Sequence, residues 1–236
     1  MRKHLFPRSL LLAFALMAAF SAPVFAQKGL EAGIRVVPQT VWLFNDDDFA
    51  EGDNLNFATK FTVGYGASIG YNFSDALGIQ TGILISEQGQ KYTHEGLDYA
   101  TSEASLKYTK IPVMLKFNSS PYKPIMFVTT IGAHIGLLNS VKYEIDGVDI
   151  SAFLEEDAHN KMDISAALTM GLRARIIDHL HVGFSLAVNG SIPDIENKDY
   201  TVAGIPYWAT GRAATRNVSA GFMFEAVYTL GSSEDE

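Results

Sequence analysis

The sequence has 236 residues, no cysteine, and 18 lysines and arginines against 26 aspartates and glutamates. The acidic balance excludes a nucleic-acid surface, which needs clustered basic charge. The lack of cysteine excludes disulfides, thiolate metal sites and a lipid-modified cysteine, so an exported protein of this size must be held by its core and its hydrogen bonds.

Residues 1 to 26 read as a secretory signal peptide: a basic start (Arg2, Lys3, Arg8), an apolar run from Leu10 to Phe20, and small residues at Val24 and Ala26 before cleavage ahead of Gln27. The apolar run is shorter than the ~20 residues of a membrane-spanning helix. Cleavage removes three basic residues and no acidic ones, leaving 15 against 26, a net charge of -11 over the remaining 210 residues. That length suits one domain, expected over 27–230, followed by an acidic tail at 231–236. No later apolar run could form a membrane helix, so any membrane crossing must use strands.

The first strand is expected near residues 29 to 44, with Leu30, Ala32, Ile34 and Val36 on one face, Glu31, Gly33 and Arg35 on the other, and a bulge at Pro38. The next, "FTVGYGASIGYNF" at 61 to 73, alternates without exception: Phe61, Val63, Tyr65, Ala67, Ile69, Tyr71 and Phe73 oppose Thr62, Gly64, Gly66, Ser68, Gly70 and Asn72. A period of two over this length predicts a strand with one wholly apolar face. The opposite face is small and polar, as in a narrow hydrated or hydrogen-bonded lumen. A third strand from Leu77 sets Ile79, Ile83 and Ile85 against Gln80, Gly82 and Ser86.

The fourth, "LKYTKIPVMLKF" at 106 to 117, carries three lysines and a proline, which a central strand of a soluble sheet would not tolerate. Parity resolves this for two of the lysines: Thr109, Ile111, Val113, Leu115 and Phe117 face out, and Tyr108, Lys110, Pro112, Met114 and Lys116 face in. Pro112 predicts a bulge or a missing ladder bond. The fifth strand sets Ile125, Phe127, Ile131, Ile135 and Leu137 against Thr130, Gly132 and His134; the sixth sets Ile164, Ala166, Leu168, Met170, Leu172 and Ile176 against Asp163, Ser165, Thr169, Arg173 and Arg175. The seventh sets Leu180, Val182, Phe184, Leu186 and Val188 against His181, Ser185 and Asn189, and the last sets Val218, Phe222, Phe224, Tyr228 and Leu230 against Ser219 and Glu225.

About eight strands follow, an even number as in single-chain bacterial outer-membrane barrels. Tight links at 74–76, 118–123 and 178–179 alternate with long ones at 45–60, 88–105, 139–161 and 190–216. Short periplasmic turns and long extracellular loops have this pattern, which puts both termini on the periplasmic side. Turn pairs at Asp146-Gly147 and Glu95-Gly96 predict that some loops continue as hairpins above the membrane. Trp42, Phe44, Tyr71, Phe73, Phe117 and Tyr122 fall near strand ends, as interfacial aromatics do. The expected fold is an all-β, up-and-down antiparallel transmembrane barrel.

The stretch "LGIQTGILISEQGQKY" with "LKYTKIPVMLKFNSSPYKPIMFVTTIGAHIGLL" resembles the PorT-like outer-membrane β-barrel family of Bacteroidetes. The resemblance rests on Tyr108, Ile111-Pro112 and Lys116, then a short turn and a glycine-rich strand with Gly132 and Gly136. It implies a Gram-negative outer-membrane location, lipids as neighbours, insertion by the barrel assembly machinery, and a secretion complex as a candidate partner. The tail "GSSEDE" departs from barrels that end on an aromatic residue, though Phe222, Phe224 and Tyr228 lie close by.

The interior charges expected from parity are Glu31, Arg35, Lys110, Lys116, Asp163, Arg173, Arg175 and Glu225, with Glu31, Arg35 and Glu225 pairing across the seam of first and last strands. They form either a structural plug or a charged pore constriction. Loop acids (Asp46, Asp47, Asp48, Glu51 and Asp53; Asp146, Asp149, Glu155, Glu156 and Asp157) could offer oxygens to calcium, but no EF-hand spacing is present. His94, His134 and His159 are the histidines open to a catalytic role, with Ser102 or Ser105 near His94. No motif predicts catalysis, a cofactor or a metal. The expected function is a non-enzymatic barrel with a plugged or narrow lumen, in envelope integrity, adhesion or secretion support. A small-solute pore is the alternative, followed by an outer-membrane hydrolase and a soluble lipocalin-like carrier.

Overall fold

The computed structural model describes residues 29–52, 55–94, 101–119, 123–151, 156–202, 205–206 and 211–230. The expected signal peptide, the acidic tail, Asp53, Glu95-Gly96, Tyr122 and Glu155 lie outside the described residues. Eight long strands carry the fold: β1 (Gly29–Phe44), β2 (Lys60–Asn72), β3 (Leu77–His94), β4 (Thr101–Asn118), β5 (Ile125–Ile145), β6 (Met162–Ile177), β7 (Leu180–Ser191) and β8 (Arg216–Thr229). Each pairs antiparallel with its neighbours in sequence, and β1 pairs with β8, so the sheet closes on itself. Closure leaves no unpaired edge, the condition for crossing lipid with strands.

The period of two in the sequence becomes the wall of the barrel. Ile34, Phe61, Val63, Ile83, Val113, Leu172 and Leu186 are among the many large apolar side chains exposed on the outer surface, while Thr62, Ser68, Gln80, Lys110, Lys116, Ser165, Arg173 and Asn189 are buried inside. A soluble carrier would have the opposite polarity, so the lipocalin-like reading falls. On β4 Lys110, Pro112, Met114 and Lys116 are buried, and Ile111, Val113, Leu115 and Phe117 face out, as parity requires. Lys107 is exposed, on the outer parity.

Of the two proline expectations, the bulge at Pro38 is absent and the missing ladder bond at Pro112 is present. The register of β1 with β2 runs unbroken past Pro38, which pairs with Val63, and with β8 pairing lapses at Val37 and Pro38 without a register shift, so there is no bulge there. At Pro112 the register with β3 is also constant, but pairing lapses between Lys110 and Val113, a gap rather than a bulge. Thr81 closes part of that gap by donating its hydroxyl to the Pro112 carbonyl at 2.7 Å. The bulges lie elsewhere, between Lys107 and Tyr108 in the β4–β5 ladder and between Arg175 and Ile177 in the β6–β7 ladder.

One residue type lets the strands approach closely. A Cβ on Gly132 would stand 2.1 Å from the Val113 carbonyl oxygen and 2.9 Å from the Met114 Cα, so β4 and β5 meet there at a distance only glycine allows.

The short turns sit at the end where the wall starts at Gly29 and finishes at Thr229. Two of the long connections are largely strand: β3 and β4 run to His94 and from Thr101, and β5 runs to Ile145 before turning at Asp146-Gly147 into a short strand, Val148–Asp149. Asp146 (φ 48°) and Gly147 (φ 79°) take the left-handed conformations of a two-residue hairpin turn. Between β1 and β2 lie a short helix, α1 (Asp46–Ala50), and a short strand, Leu55–Ala58, that pairs with the upper part of β3. Asn45 caps α1 by accepting from Asp47 N at 2.8 Å and Asp48 N at 3.4 Å.

Aromatics gather near both ends of the wall. Tyr71 and Phe73 meet edge to face at 5.5 Å near the turns, and a row of rings, Phe44–Phe49–Phe57–Tyr92, runs along the loop side at centroid spacings of 5.4, 4.6 and 5.4 Å.

Candidate functional site

Three layers fill the lumen. Nearest the periplasmic turns is an ionic layer centred on Arg173 of β6, whose side chain is 3% exposed. Its Nε and Nη2 donate to Glu225 Oε1 at 3.1 and 2.7 Å, and its Nη1 donates to Glu31 Oε1 and Oε2 at 3.3 and 3.2 Å. Lys116 pairs with the same Glu31, and Asn72 donates to Glu31 Oε1 at 2.8 Å. Groups from β1, β2, β4, β6 and β8 therefore converge across the barrel, so the layer crosses the whole section of the lumen.

The expected seam pairing of Glu31, Arg35 and Glu225 is corrected here. Arg35 and Glu225 do stand opposite each other in the β1–β8 register, but Arg173 reaches in from the far wall and takes both carboxylates. A planar guanidinium can present two edges to two acids at once, which a seam lysine could not.

Above this layer Val37, Leu84 and Met223 form a small apolar cluster. Around it lies a cavity of about 40 Å³ lined by polar groups that include Arg35, Lys110, His134, Asn189 and Ser219. Lys110 donates to Asn189 Oδ1 at 2.9 Å. Asp163, nearer the mouth, accepts from Ser191 at 2.6 Å and from Asn217 at 3.4 Å, and Asn217 also donates to the Tyr108 hydroxyl at 3.3 Å. Seven of the eight expected interior charges are thus buried in the lumen; Arg175, beside the β6 bulge, is half-buried.

The third layer closes the mouth. Leu43, Ala104, Leu106 and Tyr108 of the wall pack with Ile195 from the β7–β8 connection. Polar ties hold three loops together over that apolar contact. Asn160 donates to the carbonyls of Asp194 and Glu196 at 2.9 and 3.0 Å, and Asn45 donates to the Ala213 carbonyl at 2.9 Å and the Thr215 hydroxyl at 2.7 Å. Arg212 pairs with Asp48 and, at 3.4 Å, with Glu196. Burial raises the Glu196 carboxyl above its ordinary range; burial, with Asp48 next, raises the Tyr92 phenol. His159 is buried under the lid, bonded to the Tyr143 hydroxyl at 2.9 Å, and burial lowers its imidazole to about 4.

The sequence reading missed Lys60. It is buried at the start of β2, pairs with Glu87 at 3.2 Å and Glu103 at 3.0 Å, and donates to the Ala104 carbonyl and the Ser105 hydroxyl. Its position at the end of a long loop hid it, although it extends the inward parity of Thr62 by one step.

Of the three histidines considered for catalysis, His134 and His159 are buried. His94 stands on the rim with its Nε2 2.7 Å from Ser102 Oγ; Ser105 is taken by Lys60. Several of the loop acids are used as partners: Asp47 accepts from Ala213 N at 2.7 Å, Asp149 from Ser151 at 2.6 Å, and Asp157 pairs with Lys161 at 2.8 Å. Among the described residues no group of three or more acidic or histidine side chains has metal-binding geometry.

Comparison with known structures gives barrels at low sequence identity. OprG from Pseudomonas aeruginosa matches at 12% identity with a TM-score of 0.49, covering 89% of this chain and 100% of its own. Neisserial surface protein A matches at 9% and 0.45, covering 86% and 97%. Ail, the attachment invasion locus protein of Yersinia pestis, matches at 12% and 0.41, covering 86% and 99%. No curated protein sequence matches the chain. The family model for the outer membrane protein beta-barrel domain matches residues 12–224. With a closed eight-stranded wall that is apolar outside and polar within, and a family match over most of its length, the chain belongs to the outer membrane protein beta-barrel domain family and resides in the outer membrane.

Proposed function

We propose that this barrel is non-conducting and non-enzymatic, and that it works through its extracellular hairpins and loops in envelope integrity, adhesion or support of a secretion complex. One observation carries the reading: the Arg173 layer bridges opposite walls while three tied loops and Ile195 cover the mouth, so charge and apolar packing occupy the path a solute would take. Finer kinship with PorT-like barrels is part of the proposal. It is supported by Tyr108, Ile111-Pro112 and Lys116 on one strand beside Gly132 and Gly136 on the next. Its expected partners are outer-membrane lipids, the assembly machinery during insertion, and a secretion complex.

The test is single-channel recording in planar bilayers. The wild-type protein is expected to give no steady current. A steady current that changes when Arg173 and Glu225 are neutralised would overturn the reading in favour of a small-solute pore. The His94–Ser102 contact brings a hydroxyl nucleophile and a base together at the rim. Turnover of lipid or peptide by the purified barrel, abolished by His94→Ala, would favour a hydrolase instead.

A further inference from the structure

Among the described residues the lumen buries Arg35, Lys110, Lys116 and Arg173 together with Glu31, Asp163 and Glu225, with Asp75 buried at the turn end and Lys60 at the mouth. The two cations without a contacting acid line the cavity. Lys116 and Arg173 have their acids in the ionic layer, whereas neither Arg35 nor Lys110 has a carboxylate within 4.0 Å among the described residues. Arg35 is 6% exposed, and its Nε and Nη2 have no hydrogen-bond partner there. A guanidinium cannot shed its proton, and a buried one without hydrogen-bond partners is strongly destabilising.

Rotating Arg35 toward Glu225 would set two guanidiniums on one carboxylate, because Glu225 already pairs with Arg173. Asp163 is held by Ser191 and Asn217. Asn189 turns its oxygen to Lys110 and donates its amide to Ser165 at 2.9 Å, so this part of the cavity wall is committed as well.

We infer that the cavity between Arg35 and Lys110 is a binding site for a small monovalent anion of chloride size, a structural ion that partners the two cations lining it. The 40 Å³ available would hold about three water-sized occupants, enough for one such ion with one or two waters. The charges that would hold the ion belong to the wall alone, so its binding is independent of the role proposed for the loops.

Crystals of the refolded full-length mature barrel soaked in sodium bromide test it, with anomalous diffraction locating the halide. The expected result is an anomalous peak between Arg35 and Lys110. In parallel, the thermal midpoint of the heat-modifiable gel transition should be higher in chloride or bromide than in gluconate at equal ionic strength, since an ion that binds only the folded state stabilises it. Arg35→Gln should abolish the peak and weaken the halide dependence at least about tenfold in concentration. If that variant does not refold, Lys110→Met supplies the same comparison. A wild-type cavity that holds only water, with Arg35 turned onto Glu225, would overturn the inference. Equal midpoints in halide and gluconate would do the same, as would a halide dependence unchanged in the variants.

Discussion

Replacing Arg173 with methionine keeps the unbranched apolar stem of the side chain and removes the charge at the centre of the ionic layer. Four hydrogen bonds to two carboxylates disappear, and among the described residues Glu225 loses its one ion pair, while Glu31 keeps Lys116. Both acids are buried, so solvent screening does little to soften the loss. Removing one partner of such a buried pair costs about 3–5 kcal/mol, a factor of roughly a hundred to a few thousand in the folded-to-unfolded ratio. A second change, Glu225→Gln, removes the stranded charge, so the double variant should regain about half of the loss or more. Equilibrium urea unfolding in lipid vesicles, followed by tryptophan fluorescence and by gel migration, measures both. An Arg173→Met barrel within about 0.5 kcal/mol of wild type, the range of ordinary surface changes, would refute the reasoning, as would a double variant no more stable than the single.

Two further outcomes are expected. Gly132→Val should fail to give the heat-modifiable folded band because its Cβ would overlap the Val113 carbonyl, whereas Gly190→Ala, whose added methyl would meet nothing within 4 Å, should fold normally. The His159 imidazole protonates near pH 6.5 in the unfolded chain but only near 4 under the lid, so its contribution is present above about pH 6.5 and lost as pH falls toward 4. Hydrogen-exchange protection of the Asn160 and Asn197 amides, which bond across the lid to Ile195 and Ala158, should therefore fall between about pH 6.5 and about pH 4. That fall should be absent in His159→Phe, and a flat wild-type profile would refute the assignment.

Much of the wall was legible in the sequence because a strand has only two faces, and each residue's side is fixed by its neighbour's. Phe61 to Phe73 shows this without exception, and the two inward lysines of β4 follow from counting alone. Partners across the lumen were not legible. Arg173 and Glu31 are 142 residues apart, and their meeting depends on the diameter and stagger of the closed sheet, which local alternation does not encode. Arg35 shows the same limit from the other side: its seam neighbour was correctly placed, yet that neighbour's charge is used elsewhere. The upper hairpins were underestimated because Gln88 and Gln90, buried at the mouth, look like loop residues when lumen and solvent are not distinguished.

The strands are unequal in length, 21 residues for β5 against 12 for β7. At the usual rise and tilt these stand about 55 Å and about 30 Å tall, against an apolar band of about 25 Å. The rim is therefore a parapet, high on the β3–β5 side and nearly flush with the bilayer at β7. A sugar chain, an antibody or another cell approaching from outside meets the high β3–β5 side first, while a molecule drifting in the plane of the outer leaflet reaches the lid over the low wall.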